Sequence, residues 1–248
     1  MDFNVSHQAG IVSLIAVVGV KEKIEVGTDV VCWNERLVQD YAHIEKDGFF
    51  EWVDIHGDVF AESEISYMKL APVTCVGLGL LCGLTGFGKD SVSRCQWRNK
   101  KVSVNIEGME DNSRSIMVES NDIIDAKLRR FYACWCLRES YIKMTGEALL
   151  APWLKELEIS DVKAPAPKED IGEEASLEDG EIECKFTIRF KGKLVTNVKM
   201  ELVALGNNYM VGGAVRPAGK LDELGLKLGR WEHLDLKRDV LAFAESRS

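Results

Sequence analysis

The sequence predicts an α+β protein: an N-terminal mixed β-sheet packed on one long central helix, followed by a small β-meander and a C-terminal helix. Three observations support this prediction. The first third holds β-branched apolar runs, the middle holds one long amphipathic segment, and the last quarter alternates apolar and polar residues. The 248 residues, 46% of them hydrophobic, suffice for a substantial core.

The first third predicts several strands. Residues 9–20, "AGIVSLIAVVGV", are uncharged and rich in β-branched residues, which predicts a strand buried on both faces. Residues 21–33 continue with partial alternation and a predicted turn at 27–29, "GTD". Residues 49–60, "FFEWVDIHGDVF", predict another strand, and residues 101–119 predict a hairpin around "MEDNS".

The central helix is predicted over residues 121–145. Ser120 or Asn121 can cap its start, and Gly146 can end it. Its apolar residues follow helical spacing and predict a buried stripe. The members of that stripe include Ile124, Leu128, Phe131, Trp135 and Ile142. A shorter helix is predicted to follow, from Pro152 to Glu158.

An acidic segment with Ala-Pro-Ala-Pro, residues 161–181, predicts a linker between two units. The first unit would be an α+β domain, residues 1–160. The second, residues 182–248, would be a β-meander with turns at 191–193 and 207–208 and a closing helix near 234–246. A unit of this size has little core of its own, so we expect it to pack on the first.

The net charge of -9 argues against a generally basic nucleic-acid-binding protein. Acidic and basic stretches alternate along the chain, which favours docking within the molecule or between copies. The seven cysteines are odd in number and form no C-x-x-C pair. This usage, and a start without a basic signal region, predict an intracellular protein with reduced thiols.

Residues 83–91, "GLTGFGKDS", come within one residue of a phosphate-binding loop. Asp90 stands where that motif needs Ser or Thr, so the sequence does not favour a nucleotide site. The uncharged stretch around it, residues 70–88, barely reaches the length of a membrane span and contains Pro and Gly. Cys75, Gly79 and Gly83 recur every fourth residue there, which makes them candidates for self-association, with a buried core segment as the alternative.

A basic segment follows, with charges placed around an aromatic residue. Positive charge beside an aromatic ring suits contact with nucleic-acid phosphates and bases, or with anionic lipid headgroups. Such segments are more often solvated surface. The candidate binding residues are Arg94, Trp97, Arg98, Lys100 and Lys101.

Asp54, His56 and Asp58 would share one side of a strand by their spacing of two. That arrangement suits half of a metal site or an acid/base pair. No second ligand motif accompanies it, so a solvent-facing strand surface is the favoured interpretation. The sequence therefore predicts no catalytic residue, no metal ligand and no cofactor.

These observations favour a non-catalytic intracellular binding or assembly protein that associates with itself. A viral structural or accessory protein of matrix, coat or movement type would combine such apolar and charged surfaces in one small chain. One alternative is a nucleic-acid-binding or membrane-surface protein that uses residues 94–101. The other is a nucleotide- or metal-dependent enzyme. The expected partners are further copies of the chain, RNA or an anionic membrane surface, and an unidentified protein.

Overall fold

The computed structural model contains both helices and sheets, which confirms the predicted α+β class. The structure describes residues 1–73, 87–106, 114–148, 151–168, 177, 179–225 and 228–241. The strands are β1 (Asp2–Gln8), β2 (Ile11–Val17), β3 (Glu25–Cys32), β4 (Lys101–Ile106), β5 (Arg114–Glu119), β6 (Leu157–Ser160), β7 (Asp179–Glu183), β8 (Thr187–Phe190), β9 (Lys193–Leu194), β10 (Lys199–Leu205) and β11 (Tyr209–Arg216). The helices are α1 (Leu37–Asp47), α2 (Phe49–Asp54), α3 (Glu62–Leu70), α4 (Ser120–Thr145) and α5 (Ala218–Glu223).

The central sheet has the strand order β3-β11-β10-β7, with antiparallel neighbours. Strands β10 and β11 form a hairpin across the predicted turn at 207–208. Strand β3 pairs with β11 over its full length, with Val30 opposite Val211. Strands from both sides of the predicted linker therefore share one sheet.

Helix α4 covers one face of this sheet at very short range. A Cβ atom added at Gly27 would lie 2.2 Å from the carbonyl oxygen of Ser140 and 2.3 Å from the backbone nitrogen of Met144. One added at Gly212 would lie 2.5 Å from Ser140 Oγ. A side chain has no room at either position, because the helix backbone occupies the space at Gly27 and the Ser140 side chain occupies it at Gly212.

The hairpin β1–β2 covers the edge of β3 and part of the opposite face. The side-chain oxygen of Asn4 accepts a hydrogen bond from the Thr28 N–H at 3.0 Å, and that of Gln8 accepts one from the Cys32 N–H at 3.2 Å. These bonds satisfy donors that β3 would otherwise leave open at the sheet edge. On its inner side Ile15 packs against the cluster that contains Val26.

Three buried cations of α4 fix the segments around it through backbone carbonyl groups. The Lys127 ammonium donates to the carbonyl oxygens of Lys69, Ser93 and Cys95 at 2.6 to 2.9 Å. Arg130 donates to those of Tyr67, Ala71 and Pro72. Arg138 donates to those of Leu154 and Leu157 and pairs with the buried Glu64. Burial lowers the pKa of Lys127 to about 7, whereas its three carbonyl acceptors favour the charged form.

Several predicted elements are confirmed. Helix α4 begins and ends within one residue of the prediction, with Gly146 in the left-handed conformation at its end. Strands β4 and β5 pair antiparallel, as predicted, and the predicted turn between them lies outside the described residues. The turn between β8 and β9 lies at Lys191 and Gly192, as predicted.

Three local predictions in the first third are wrong. Residues 27–29 are the middle of β3 and make no turn, because β11 supplies their pairing partners. Residues 49–54 form α2, since Phe49, Trp52 and Val53 are buried at helical spacing. Residues 9–20 contain the turn at Ala9–Gly10 and strand β2. That strand is not buried on both faces, because Val12 and Leu14 are exposed.

Later elements differ in part. Leu154–Glu156 form a single 3₁₀ turn before β6, in place of a short helix. Strands β7 and β8 belong to different sheets, so residues 182–190 are not one continuous strand. Within the predicted linker Val162 is buried, and Ala166 exchanges two hydrogen bonds with Glu181. The described part of the predicted closing helix forms a π-helical segment, Leu236–Leu241, and residues 242–248 lie outside the described residues.

Replacing Gly27 by alanine should destabilise the protein by about 3 kcal/mol, because the new methyl group must push α4 away from β3. Urea denaturation would measure this loss. The matched control is Gly219→Ala in α5, where an added Cβ meets no atom within 4 Å. A Gly27→Ala variant as stable as that control would contradict the close contact.

Candidate functional site

A buried carboxylate lies where β1, β3 and α4 meet. Asp29 lies in the middle of β3 and is only 6% exposed. Its Oδ1 accepts hydrogen bonds from Lys143 Nζ at 2.6 Å and from Ser6 Oγ at 2.8 Å. Lys143 Nζ also donates to Ser6 Oγ at 2.8 Å. Three elements therefore converge on one ion pair.

A second carboxylate, Glu139, stands one helical turn before Lys143 on the same face of α4. Burial raises the pKa of Glu139, the negative charge of Asp29 raises it further, and Lys143 lowers it. Burial also raises the pKa of Asp29, against the lowering effect of Lys143. Glu139 therefore lies near enough to Asp29 and Lys143 for their charges to shift its pKa.

The backbone around Asp29 is held in place from both sides. The Cys136 thiol of α4 donates to the carbonyl oxygen of Asp29 at 3.5 Å. Thr28 Oγ1 donates to the carbonyl oxygen of Gly212 at 2.9 Å, across the β3–β11 pair. The approach allowed by Gly27 and Gly212 therefore sets how near Glu139 and Lys143 come to Asp29.

Two neighbouring carboxylates form the donor set with which proteins bind Mg²⁺ when substrate phosphates and water complete its coordination. Among the described residues, no group of three or more His, Cys, Asp and Glu could hold a metal ion alone. Asp29 and Glu139 fit a site in which the substrate supplies the remaining oxygen ligands. The nearby Lys143 adds a cation that can contact a phosphate oxygen.

The chain is similar to known proteins over almost its whole length. No protein-family model matches the chain. The chain is 42% identical over 249 aligned positions to a 4'-phosphopantetheinyl transferase of Aureobasidium melanogenum, covering 98% of this chain and 70% of that protein. The chain belongs to the 4'-phosphopantetheinyl transferase family.

Two further relatives carry the same name. The 4'-phosphopantetheinyl transferase 1 of Fusarium mangiferae is 36% identical over 247 positions, covering 99% of this chain and 63% of that protein. The 4'-phosphopantetheinyl transferase NpgA of Emericella nidulans is 30% identical over 263 positions, with coverages of 97% and 64%. The chain thus spans about two thirds of the length of these relatives.

Membership of a transferase family corrects the functional prediction from sequence. A non-catalytic, self-assembling viral structural protein is wrong, because the relatives are fungal enzymes. The predicted partners are wrong for the same reason. They were further copies of the chain, RNA and a membrane surface. No helix in the described ranges combines the length and apolar character needed to cross a membrane.

The Asp54, His56 and Asp58 side chains do not converge. Asp54 pairs with Lys69, and Asp58 pairs with Lys155 at 2.9 Å. His56 is half-buried among the rings of Trp52, Phe131 and Trp135, and burial lowers its pKa. The spacing of two does not place these side chains on one side of a strand, because residues 49–54 form a helix.

The five basic-segment residues have different environments. Arg98 is only 11% exposed, with its guanidinium 3.1 Å above the Tyr41 ring and 3.6 Å from Asp125. Trp97 is 42% exposed, and Arg94 bonds the carbonyl oxygen of Gly88. Lys100 and Lys101 are exposed. A binding role for this segment stays a prediction, now without RNA or membrane as its partner.

The two predictions for the glycine-rich stretch concern self-association and the loop at residues 83–91. Cys75, Gly79 and Gly83 lie outside the described residues, and so does the start of the 83–91 loop. In its described part, Asp90 accepts hydrogen bonds from the backbone N–H and hydroxyl group of Ser93. Asp90 therefore stabilises a local turn.

The site residues predicted from the sequence do not include Asp29, Glu139 or Lys143. A usable signal was present at Asp29, a charged residue directly before Val30 and Val31 in a strand that is buried from Val26 to Cys32. On α4 the signal was Glu139 and Lys143, four residues apart beside the apolar stripe. The interpretation of residues 27–29 as a turn concealed the first signal.

Replacing Lys143 by methionine should cost about 2 kcal/mol of stability at pH 8, because Asp29 and Glu139 lose their counter-charge. Lys143 lowers both carboxyl pKa values, so its removal raises them further. The carboxyl groups then protonate at a higher pH than in the parent, so the penalty should shrink as the pH falls. Thermal unfolding of variant and parent between pH 8 and 5 would measure it.

The control for this variant is Lys155→Met, which removes an exposed lysine paired with the exposed Asp58. It should change stability little at either pH. A Lys143→Met penalty that stays constant from pH 8 to pH 5 would argue against two carboxylates that depend on this lysine.

Proposed function

We propose that the chain carries a 4'-phosphopantetheinyl transferase centre, which transfers this group from coenzyme A to a hydroxyl group of a carrier protein. The observation that carries the proposal is the Asp29–Glu139 carboxylate pair beside Lys143. Membership of the transferase family supports the reaction class. Donor, acceptor and metal are inferred from the chemistry of the group and of the site.

The transferred group is linked through its phosphorus, so its donor must carry that phosphorus on a leaving group. Coenzyme A does so, because a phosphoanhydride joins the 4'-phosphopantetheinyl group to 3',5'-ADP. In the reaction the acceptor oxygen forms a bond to phosphorus and the anhydride P–O bond breaks. The hydroxyl proton is released, and 3',5'-ADP leaves.

Asp29 and Glu139 would hold a divalent cation of the Mg²⁺ type, as their oxygen donors and shared negative charge suit. When bound, such a cation neutralises charge on phosphate oxygens during phosphoryl transfer. Burial raises both carboxyl pKa values, so we expect cation affinity to weaken as the pH falls through those values.

Lys143 and Ser6 would position the donor. In the structure Lys143 donates to Asp29 and Ser6, and a quarter of its side chain remains exposed. A cation at the carboxylates would compete with the lysine for Asp29. The ammonium group can then donate to a phosphate oxygen, while Ser6 keeps Asp29 in place through its own hydrogen bond at 2.8 Å.

We also infer that the reaction takes place inside the cell. The described cysteines Cys32, Cys95, Cys134, Cys136 and Cys184 are all free, and the first four are buried. Free thiols are typical of reducing compartments.

Asp29→Asn and Glu139→Gln should each lower transfer by at least about 1,000-fold, since each removes one of two charged cation ligands. The assay is the mass gain of one phosphopantetheinyl group on an apo acyl or peptidyl carrier protein, with coenzyme A and Mg²⁺. Calorimetric titration with Mn²⁺ gives a second readout that does not depend on turnover.

The matched controls are Asp58→Asn and Glu62→Gln, which make the same chemical changes at exposed positions. They should transfer and bind Mn²⁺ like the parent. Full transfer by Asp29→Asn and Glu139→Gln would refute the assignment of the centre. Unchanged Mn²⁺ binding with lost transfer would refute only the cation role.

A further inference from the structure

Three hydrogen bonds hold the Lys143 ammonium group against Asp29. Lys143 Nζ donates to Asp29 Oδ1 at 2.6 Å and to Ser6 Oγ at 2.8 Å, and Ser6 Oγ donates to the same Asp29 oxygen at 2.8 Å. The Asp29 side chain is 8% exposed and that of Lys143 is 27% exposed. A divalent cation bound to Asp29 would lie next to this ammonium group, and the two positive charges repel each other. Lys143 and the cation therefore compete for one carboxylate.

The two partners of this ion pair differ in their freedom to move. Asp29 lies in the middle of β3, where Ser6 holds its carboxyl group and the Cys136 thiol donates to its carbonyl oxygen at 3.5 Å. Lys143 lies in the last turn of α4 on a flexible side chain that is partly exposed. Competition would therefore move the lysine and leave the carboxylate in place.

A displaced ammonium group needs another anionic partner. Its charge acts on both Asp29 and Glu139, so a cation that takes its place also takes over its role as counter-charge. Without a further anion, lysine and cation repel each other across the site. A phosphate group of the donor nucleotide balances both charges, because its oxygens accept hydrogen bonds from an ammonium group and also ligate a divalent cation.

We propose that Lys143 opposes cation binding at Asp29 until the donor nucleotide binds, so that cation and nucleotide load together. This inference rests on the proposed function, which supplies the cation and the phosphate. It gives the lysine a regulatory role besides phosphate contact. Lys143 lowers the affinity of the site for a cation alone and raises it for a cation together with a nucleotide. The coupling is reciprocal, so the cation also raises the affinity for the nucleotide.

The test is calorimetric titration with Mn²⁺ at pH 8, without and with 3',5'-ADP, the product nucleotide. Mn²⁺ binding by free 3',5'-ADP is measured separately and subtracted. In the parent, 3',5'-ADP should tighten Mn²⁺ binding at least about tenfold. Without nucleotide, Lys143→Met should bind Mn²⁺ about tenfold more tightly than the parent, because the competing charge is gone. In this variant 3',5'-ADP should tighten Mn²⁺ binding by a smaller factor.

Three further variants separate charge from structure. Lys143→Gln keeps a hydrogen-bond donor without the charge and should bind Mn²⁺ more tightly, like Lys143→Met. Lys143→Arg keeps the charge and should bind Mn²⁺ alone like the parent. Lys155→Met removes an exposed lysine paired with Asp58 and should also bind like the parent. In thermal unfolding, Mn²⁺ should stabilise Lys143→Met more than the parent, because stabilisation by a ligand increases with affinity.

Two results would overturn the proposal. One is Mn²⁺ binding by folded Lys143→Met and Lys143→Gln that is no tighter than in the parent. The other is an effect of 3',5'-ADP that is as large in these variants as in the parent. Both results leave the proposed transferase centre intact. Unchanged Mn²⁺ binding by Asp29→Asn would overturn this proposal together with the cation role of the centre, so the two failures are distinguishable.

Discussion

The close contact between helix α4 and the backbones of β3 and β11 is the constraint on which the rest of the structure depends. Gly27 and Gly212 remove the side chains that would hold helix and sheet apart. Because of this approach, Glu139 and Lys143 reach a carboxylate in the middle of a buried strand. A conventional helix-on-sheet spacing would leave Asp29 as an isolated buried charge, which a fold cannot tolerate cheaply.

Acidic groups lie on both faces of the sheet, and their charged neighbours differ between the two faces. Towards α4, the charge of one lysine acts on two carboxyl groups, so ionisation of both leaves an excess of negative charge that a cation can balance. On the other face Glu201 has no charged partner among the described residues, and burial favours its neutral form. Carboxyl groups thus lie beside a charged partner on the face towards α4, and without one on the opposite face, where the neutral form is favoured.

Elements with a local signature could be predicted from the sequence: α4 from its periodicity and Gly146, and the β4–β5 and β10–β11 hairpins from alternation around turns. The site could not, because it depends on contacts between distant residues. Lys143 meets Asp29 across 114 positions, and Thr28 bonds Gly212 across 184. Gly27-Thr28-Asp29 has the composition of a turn, and only its pairing with β11 makes it a strand. Family membership, likewise, was not readable from short motifs.

The three cations of α4 give the fold a tolerance that side-chain packing alone would not. Lys127, Arg130 and Arg138 hold neighbouring segments by their carbonyl groups, which every amino acid provides. The sequence of those segments can therefore drift while their attachment to the helix persists. The loops around the central sheet can thus change in sequence while the framework beneath them stays the same.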